Sequence, residues 1–162
     1  TVPGSLDALT DGLEVFRKVI AAGVQAIMPG PAVFSALDPL QSASTSEAVI
    51  GLLRDRLGFD GLIISDDLDA VSILRGNSLA DTAVAALRAG AHLLLVSSQA
   101  GLDDLAQAII DAVAAGRLEA QSLLAAAEKV RGHAQVNRAQ VEAGLYVSYP
   151  FAGGHMTRRV MR

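Results

Sequence analysis

Apolar and polar positions along the chain alternate between two periods. Leu6, Leu9, Leu13, Phe16 and Ile20 recur every three or four residues, which predicts a helix with Ser5 as its N-terminal cap and Gly23 as its stop. Asp7, Asp11 and Glu14 precede Arg17 and Lys18, the order that a helix dipole favours. The short, mostly apolar stretch 24–28 predicts a strand. Helical spacing returns at Val49, Leu52, Leu53 and Leu57, with Ser44 and Glu47 as a capping box and Gly58 at the end. Leu62, Ile63 and Ile64 predict a second strand, introduced by the turn-prone Gly58-Phe59-Asp60-Gly61. A third helix starts at Asn77 or Ser78, turns Leu79, Val84 and Leu87 inward and ends at Gly90, and residues 93–96 predict a third strand. Two further helices are expected at 102–115 and 120–131, the first with Leu102, Leu105, Ile109 and Val113 on one face.

Strands that alternate with helices imply right-handed crossovers and a parallel sheet covered by helices. A closed eight-stranded barrel takes about 250 residues. Three strands in 162 residues are therefore either the last part of such a barrel or a small open α/β sheet. From residue 132 the periodicity decays, and 132–162 is expected to be a poorly patterned C-terminal tail.

Composition narrows the function classes. A formal charge of −4, with 13 Lys and Arg scattered except at the far C-terminus, offers no basic footprint for nucleic acid. The absence of cysteine removes disulfide frameworks and thiolate metal sites. No stretch approaches the roughly 18 apolar residues of a membrane span, so no membrane partner is expected. The composition leaves the compartment open, and cytoplasmic residence is the expectation. Thr1 in place of an initiator Met points to a piece of a longer protein.

The candidate chemistry lies in Ser65-Asp66-Asp67, at the carboxyl end of the second strand, the edge where α/β proteins place ligands and catalysis. Carboxylates there can serve as nucleophile, general base, metal ligand or phosphate acceptor. Alternatively, one caps a turn and the other is solvated. Metal binding finds no supporting spacing, because His92, His133 and His155 are far apart in sequence and no HExxH or calcium-loop pattern occurs. His92, beside an apolar strand, is expected to be a hydrogen-bonded structural residue. A phospho-receiver would need a further Asp and then a Lys after later strands, whereas Ser97, Ser98 and Gln99 follow the third strand.

Taken together, AAGVQAIM, FSALDP, LLRDRLGFDGLIISDDL and ALRAGAHLLLVSS resemble family 3 glycoside hydrolases over about residues 5–131. The resemblance implies a partial (β/α)8 TIM barrel, comprising about strands six to eight with their helices. It also implies a retaining glycoside hydrolase that uses no cofactor. Ser-Asp-Asp-Leu at 65–68 is similar to the β-N-acetylhexosaminidase branch, acting on β-linked N-acetylglucosamine such as cell-wall fragments. By that match Asp66 is the catalytic nucleophile. Asp67 is its branch-typical neighbour, which either shapes the sugar site as a substrate-binding residue or hydrogen-bonds the loop backbone. A retaining mechanism needs an ionised carboxylate beside the anomeric carbon and a proton donor roughly 5 Å away.

Three features depart from the family pattern. The branch's histidine-bearing acid motif, Lys-His-Phe-Pro-Gly-His-Gly, does not occur in these residues; Gly30-Pro31 replaces the usual Ala-His; and Ala70 stands where Met is usual. This chain is therefore expected to be weak or inactive on natural glycosides. It is also expected to self-associate through uncovered barrel edges. The alternatives are a β-glucosidase or xylosidase of the same family, and a catalytically dead α/β interaction remnant.

Overall fold

The computed structural model describes residues 1–5, 10–98, 101–142, 146–151 and 154–159. Its elements run α1 (Thr10–Ala21), β1 (Ala26–Ile27), α2 (Glu47–Gly51) continued by a π-helical turn (Leu52–Arg56), β2 (Leu62–Asp67), α3 (Val71–Leu74), α4 (Leu79–Ala89), β3 (Leu93–Leu95), α5 (Leu102–Ala114), α6 (Ala120–Glu142), β4 (Tyr146–Phe151) and β5 (Gly154–Arg159). The expected alternation of helices and strands is present. The start of the first predicted helix, including Leu6, Asp7 and Leu9, lies outside the described residues.

The strands form a parallel sheet in the order β1-β2-β3. Ala26 pairs with Leu62 and Ile27 with Ile63, while Ile64 pairs with Leu93 and Asp67 with Leu95. Between the last two pairs β2 advances by three residues and β3 by two, so a bulge falls at Ser65-Asp66.

Helices cover one face of this sheet. Ile27, Ile63, Leu68 and Ile73 form the core with Ile50, Leu52, Leu53, Leu57 and Phe59 from the α2 segment. Helix α4 contributes Ala83, Ala86 and Ala89, whose small side chains let its backbone approach closely. Ser78 caps α4 by accepting a hydrogen bond from Asp81 N at 3.0 Å, and Gly90 ends it with φ of 110°. On the other face Leu62 of the central strand is buried, but Met28, just past β1, and Leu93 and Leu95 of β3 are exposed, whereas Leu94 packs into the core.

Several boundaries differ from expectation. The cap of α2 is Ser46, whose hydroxyl accepts from Val49 N, and not Ser44; Glu47 pairs with Arg88 of α4 at 2.7 Å instead of closing a capping box. The π turn, in which Leu57 N donates to Leu52 O at 3.1 Å, swings Arg54 toward the turn before β2. There its guanidinium donates to Phe59 O at 2.6 Å and Gly61 O at 2.9 Å. Residues 132–142, expected to be unpatterned, continue α6, and β4 and β5 form an antiparallel hairpin beyond it.

Candidate active site

The site is built where three chain segments meet at the carboxyl edge of the sheet. Asp66 and Asp67 occupy the last two positions of β2 and are both half-buried. At the bulge, Leu95 N donates to Ser65 Oγ at 2.9 Å, so a side chain completes the ladder where the backbone register slips. Leu68 N donates to Leu95 O at 2.9 Å just beyond it. A bulge of this kind re-aims the side chains next to it.

Asp66 is held from both sides. Its backbone N–H donates to Ser44 Oγ at 3.0 Å, and its Oδ1 accepts from Asp67 N at 2.8 Å. Ser44 is fully buried and its hydroxyl donates to the carbonyl of Pro29, in the loop that follows β1. Asp67 is engaged differently. Its Oδ1 accepts from Asp69 N and from Ser97 N, each at 3.2 Å, and its Oδ2 accepts from the Ser97 hydroxyl. The Ser97 hydroxyl holds the Asp67 carboxyl below its usual pKa, with the backbone N–H groups of Asp69 and Ser97 adding to the effect. Asp69 in turn accepts from Ser98 N at 2.7 Å.

The loop leading into α2 is also fixed by a carboxylate. Asp38 Oδ1 accepts from Leu40 N and Gln41 N, each at 3.0 Å, and Oδ2 accepts from the Ser46 hydroxyl at 2.8 Å. Thr45 Oγ1 lies 3.1 Å from Ser42 Oγ and donates to Gln41 Oε1 at 3.0 Å, so the loop that carries Ser44 is tied together by its own hydroxyls.

The sequence placed Asp66 and Asp67 together at this edge, and the structure brings them there. It missed Ser44, whose position was explained as a helix cap, and Ser97. The available signal was the run Gln41-Ser42-Ala43-Ser44-Thr45-Ser46, which holds more small hydroxyls than one cap requires.

His92 lies at the other end of β2. Its backbone N donates to Ile63 O at 2.8 Å, its Nδ1 accepts from Ile63 N at 2.9 Å, and the Arg54 guanidinium lies 3.1 Å from its Nε2. Burial and the neighbouring Arg54 push its pKa down to about 4, so it is neutral and structural, as expected. Among the described residues no group of three or more His, Cys, Asp or Glu is placed to hold a metal ion. No described helix is long and apolar enough to cross a membrane. An apolar groove of about 310 Å³, lined by Leu13, Phe16, Phe34 and Pro29, adjoins the loop after β1, and a polar hollow of about 210 Å³ lies beside Asp81, Arg88 and Arg117.

Comparison with known proteins supplies the relationship. A beta-hexosaminidase of Thioalkalivibrio sulfidiphilus is 41% identical over 90 residues, which cover 56% of this chain and 26% of that protein. A glycoside hydrolase family 3 beta-N-acetylglucosaminidase from Paenibacillus superposes with a TM-score of 0.79 at 34% identity, over 93% of this chain and 29% of the other. A beta-N-acetylhexosaminidase from Beutenbergia cavernae gives a TM-score of 0.68 at 33% identity, over 74% of this chain and 36% of that one. The chain thus spans about a quarter to a third of the length of these relatives. The model of the glycosyl hydrolase family 3 N-terminal domain matches residues 1–132, and on that match the chain belongs to this family.

Proposed function

We propose that this chain is part of a retaining β-N-acetylglucosaminidase, with Asp66 as its nucleophile. The observation that carries the reading is the half-buried Asp66 on the bulged end of β2, its backbone pinned by Ser44 and its carboxylate steadied by the N–H of Asp67. The names of the relatives support the sugar class. In this reading the three strands correspond to strands six to eight of a (β/α)8 barrel, and residues 1–131 are its C-terminal portion, with 132–162 an appendage.

An Asp66 carboxylate oxygen attacks the anomeric carbon, a carbon–oxygen bond forms as the glycosidic bond breaks, and the departing oxygen takes a proton from an acid or leaves as a stable anion. Water then displaces the aspartate and returns the hemiacetal sugar. Asp67 acts at the sugar site through the geometry it imposes on the edge of β3. No cofactor is required, since a carboxylate nucleophile and a proton donor suffice.

The family's acid motif does not occur in this sequence, and general acid assistance is worth about 10² to 10⁴-fold. The chain should therefore react with an aryl N-acetyl-β-glucosaminide bearing a very good leaving group, and turn over unactivated chitobiose little or not at all. The test is rapid-mixing release of the aryl group by the parent and by Asp66→Asn. A burst in the parent alone supports the reading; equal traces from the two proteins exclude it.

A further inference from the structure

Ser42, Ser44 and Ser46 are all fully buried in the loop before α2, yet their hydroxyls have different reach. Ser42 Oγ lies 3.1 Å from Thr45 Oγ1 within the loop, and Ser46 caps α2 and bonds Asp38. Ser44 reaches beyond the loop to both neighbouring strand ends, donating to Pro29 O and accepting from Asp66 N at 3.0 Å. A serine hydroxyl carries one proton. With that proton committed to Pro29, a lone pair is left for the Asp66 amide.

The backbone pairing of β1 with β2 stops at Ile27 and Ile63, three residues short of Asp66. On that side Ser44 stands in for the missing strand partner. On the other side Ser65 Oγ takes the N–H of Leu95 across the bulge. Two buried hydroxyls thus replace ladder bonds at the point where the reactive carboxylate leaves the sheet.

We propose that Ser44 is a positioning residue for Asp66, holding the nucleophile's backbone at the distance that attack requires; this rests on the reading of Asp66 as nucleophile. Removing the hydroxyl leaves a buried amide and a buried carbonyl without this partner and frees the backbone at Asp66 to shift. Displacements of about 1 Å at a reacting centre can cost on the order of 100-fold in rate.

The test uses the whole chain and an activated aryl N-acetyl-β-glucosaminide, with the rate of glycosyl-aspartate formation followed in parent, Ser44→Ala, Ser44→Thr and Ser46→Ala proteins. Ser46→Ala loses a helix cap and the bond to Asp38 but leaves the Asp66 amide bonded, and so controls for general destabilisation. Ser44→Ala is expected to slow the step roughly ten- to a hundredfold at saturating substrate with little change in KM, while Ser46→Ala stays within about twofold of the parent. Ser44→Thr keeps the hydroxyl and recovers most of the rate. Hydrogen exchange at the Asp66 amide quickens in Ser44→Ala and not in Ser46→Ala. Should the alanine variant not fold, Ser44→Cys, close in size and a weaker acceptor, slows the step in the same direction.

A parent that labels at Asp66 together with an unimpaired Ser44→Ala, or equal losses in Ser44→Ala and Ser46→Ala, overturns the role of Ser44 alone. A parent that forms no adduct at Asp66 overturns the nucleophile reading and this inference with it.

Discussion

At Asp66 and Asp67 one peptide bond separates two carboxylates with different surroundings. Asp66 keeps a half-exposed carboxylate steadied by a single N–H, whereas Asp67 spends both oxygens on Ser97 and Asp69. Because the folded pKa of Asp67 is depressed, its contribution to stability is present above the unfolded value of 3.8 and is lost as pH falls through the lower folded value. Thermal unfolding below pH 3.8 should accordingly fall more steeply with acid for the parent than for Asp67→Asn; parallel curves would refute that contribution. His92 has the same sign over a different window. Its pKa falls from 6.5 to about 4 on folding, so the unfolded chain binds more protons between those values and stability drops as pH is lowered through them. His92→Asn, which can still accept the Ile63 N–H, should flatten the unfolding midpoint between pH 6.5 and 5, and a slope equal to the parent's would contradict this. The roles of these residues differed in legibility. The two aspartates stood out because a short apolar run pointed at them, and His92 because it adjoins a strand. Ser44 was hidden because Ser44 and Ser46 both precede an apolar helix and look alike as caps; only the strand ends that they face distinguish them.

Among the elements, the turn into β2 is the tightest. A Cβ on Gly61 would lie 2.5 Å from the Gln25 carbonyl oxygen and would also strike the Phe59 ring. Gly61→Ala should cost about 1 to 3 kcal/mol, as overpacking does, through displacement of the β1–β2 junction. A urea midpoint equal to the parent's would show that the junction yields. The α/β order was legible because helical and continuous apolar patterns differ in period. The π turn was not, since shifting one hydrogen bond from the fourth to the fifth preceding residue leaves the apolar spacing of Val49, Leu53 and Leu57 intact. Residues 132–142 are rich in helix formers but have little apolar periodicity, so the extension of α6 left no stripe to detect. Its attachment is partly electrostatic, through Lys129 and Asp60 at 2.8 Å.

For the whole molecule, the sheet has one face under helices and one that is open along its edges. Met28, Leu93 and Leu95 are 48%, 43% and 42% exposed, and β1 and β3 are both edges, a combination that favours association. Sedimentation velocity should show assembly growing with concentration and reduced by Leu93→Gln with Leu95→Gln; a monomer throughout would count against it. The proposed function reduces to one chemical event at one atom. After reaction with an activated aryl N-acetyl-β-glucosaminide, rapid acid quench and tryptic digestion, tandem mass spectrometry of the peptide spanning residues 57–75 tests that event directly, because the peptide contains Asp60, Asp66, Asp67 and Asp69 together. An N-acetylhexosaminyl adduct on Asp66, absent from Asp66→Asn, is the expected result. An adduct on Asp67 or Asp69, or none at all, would contradict the assignment of Asp66 as the nucleophile.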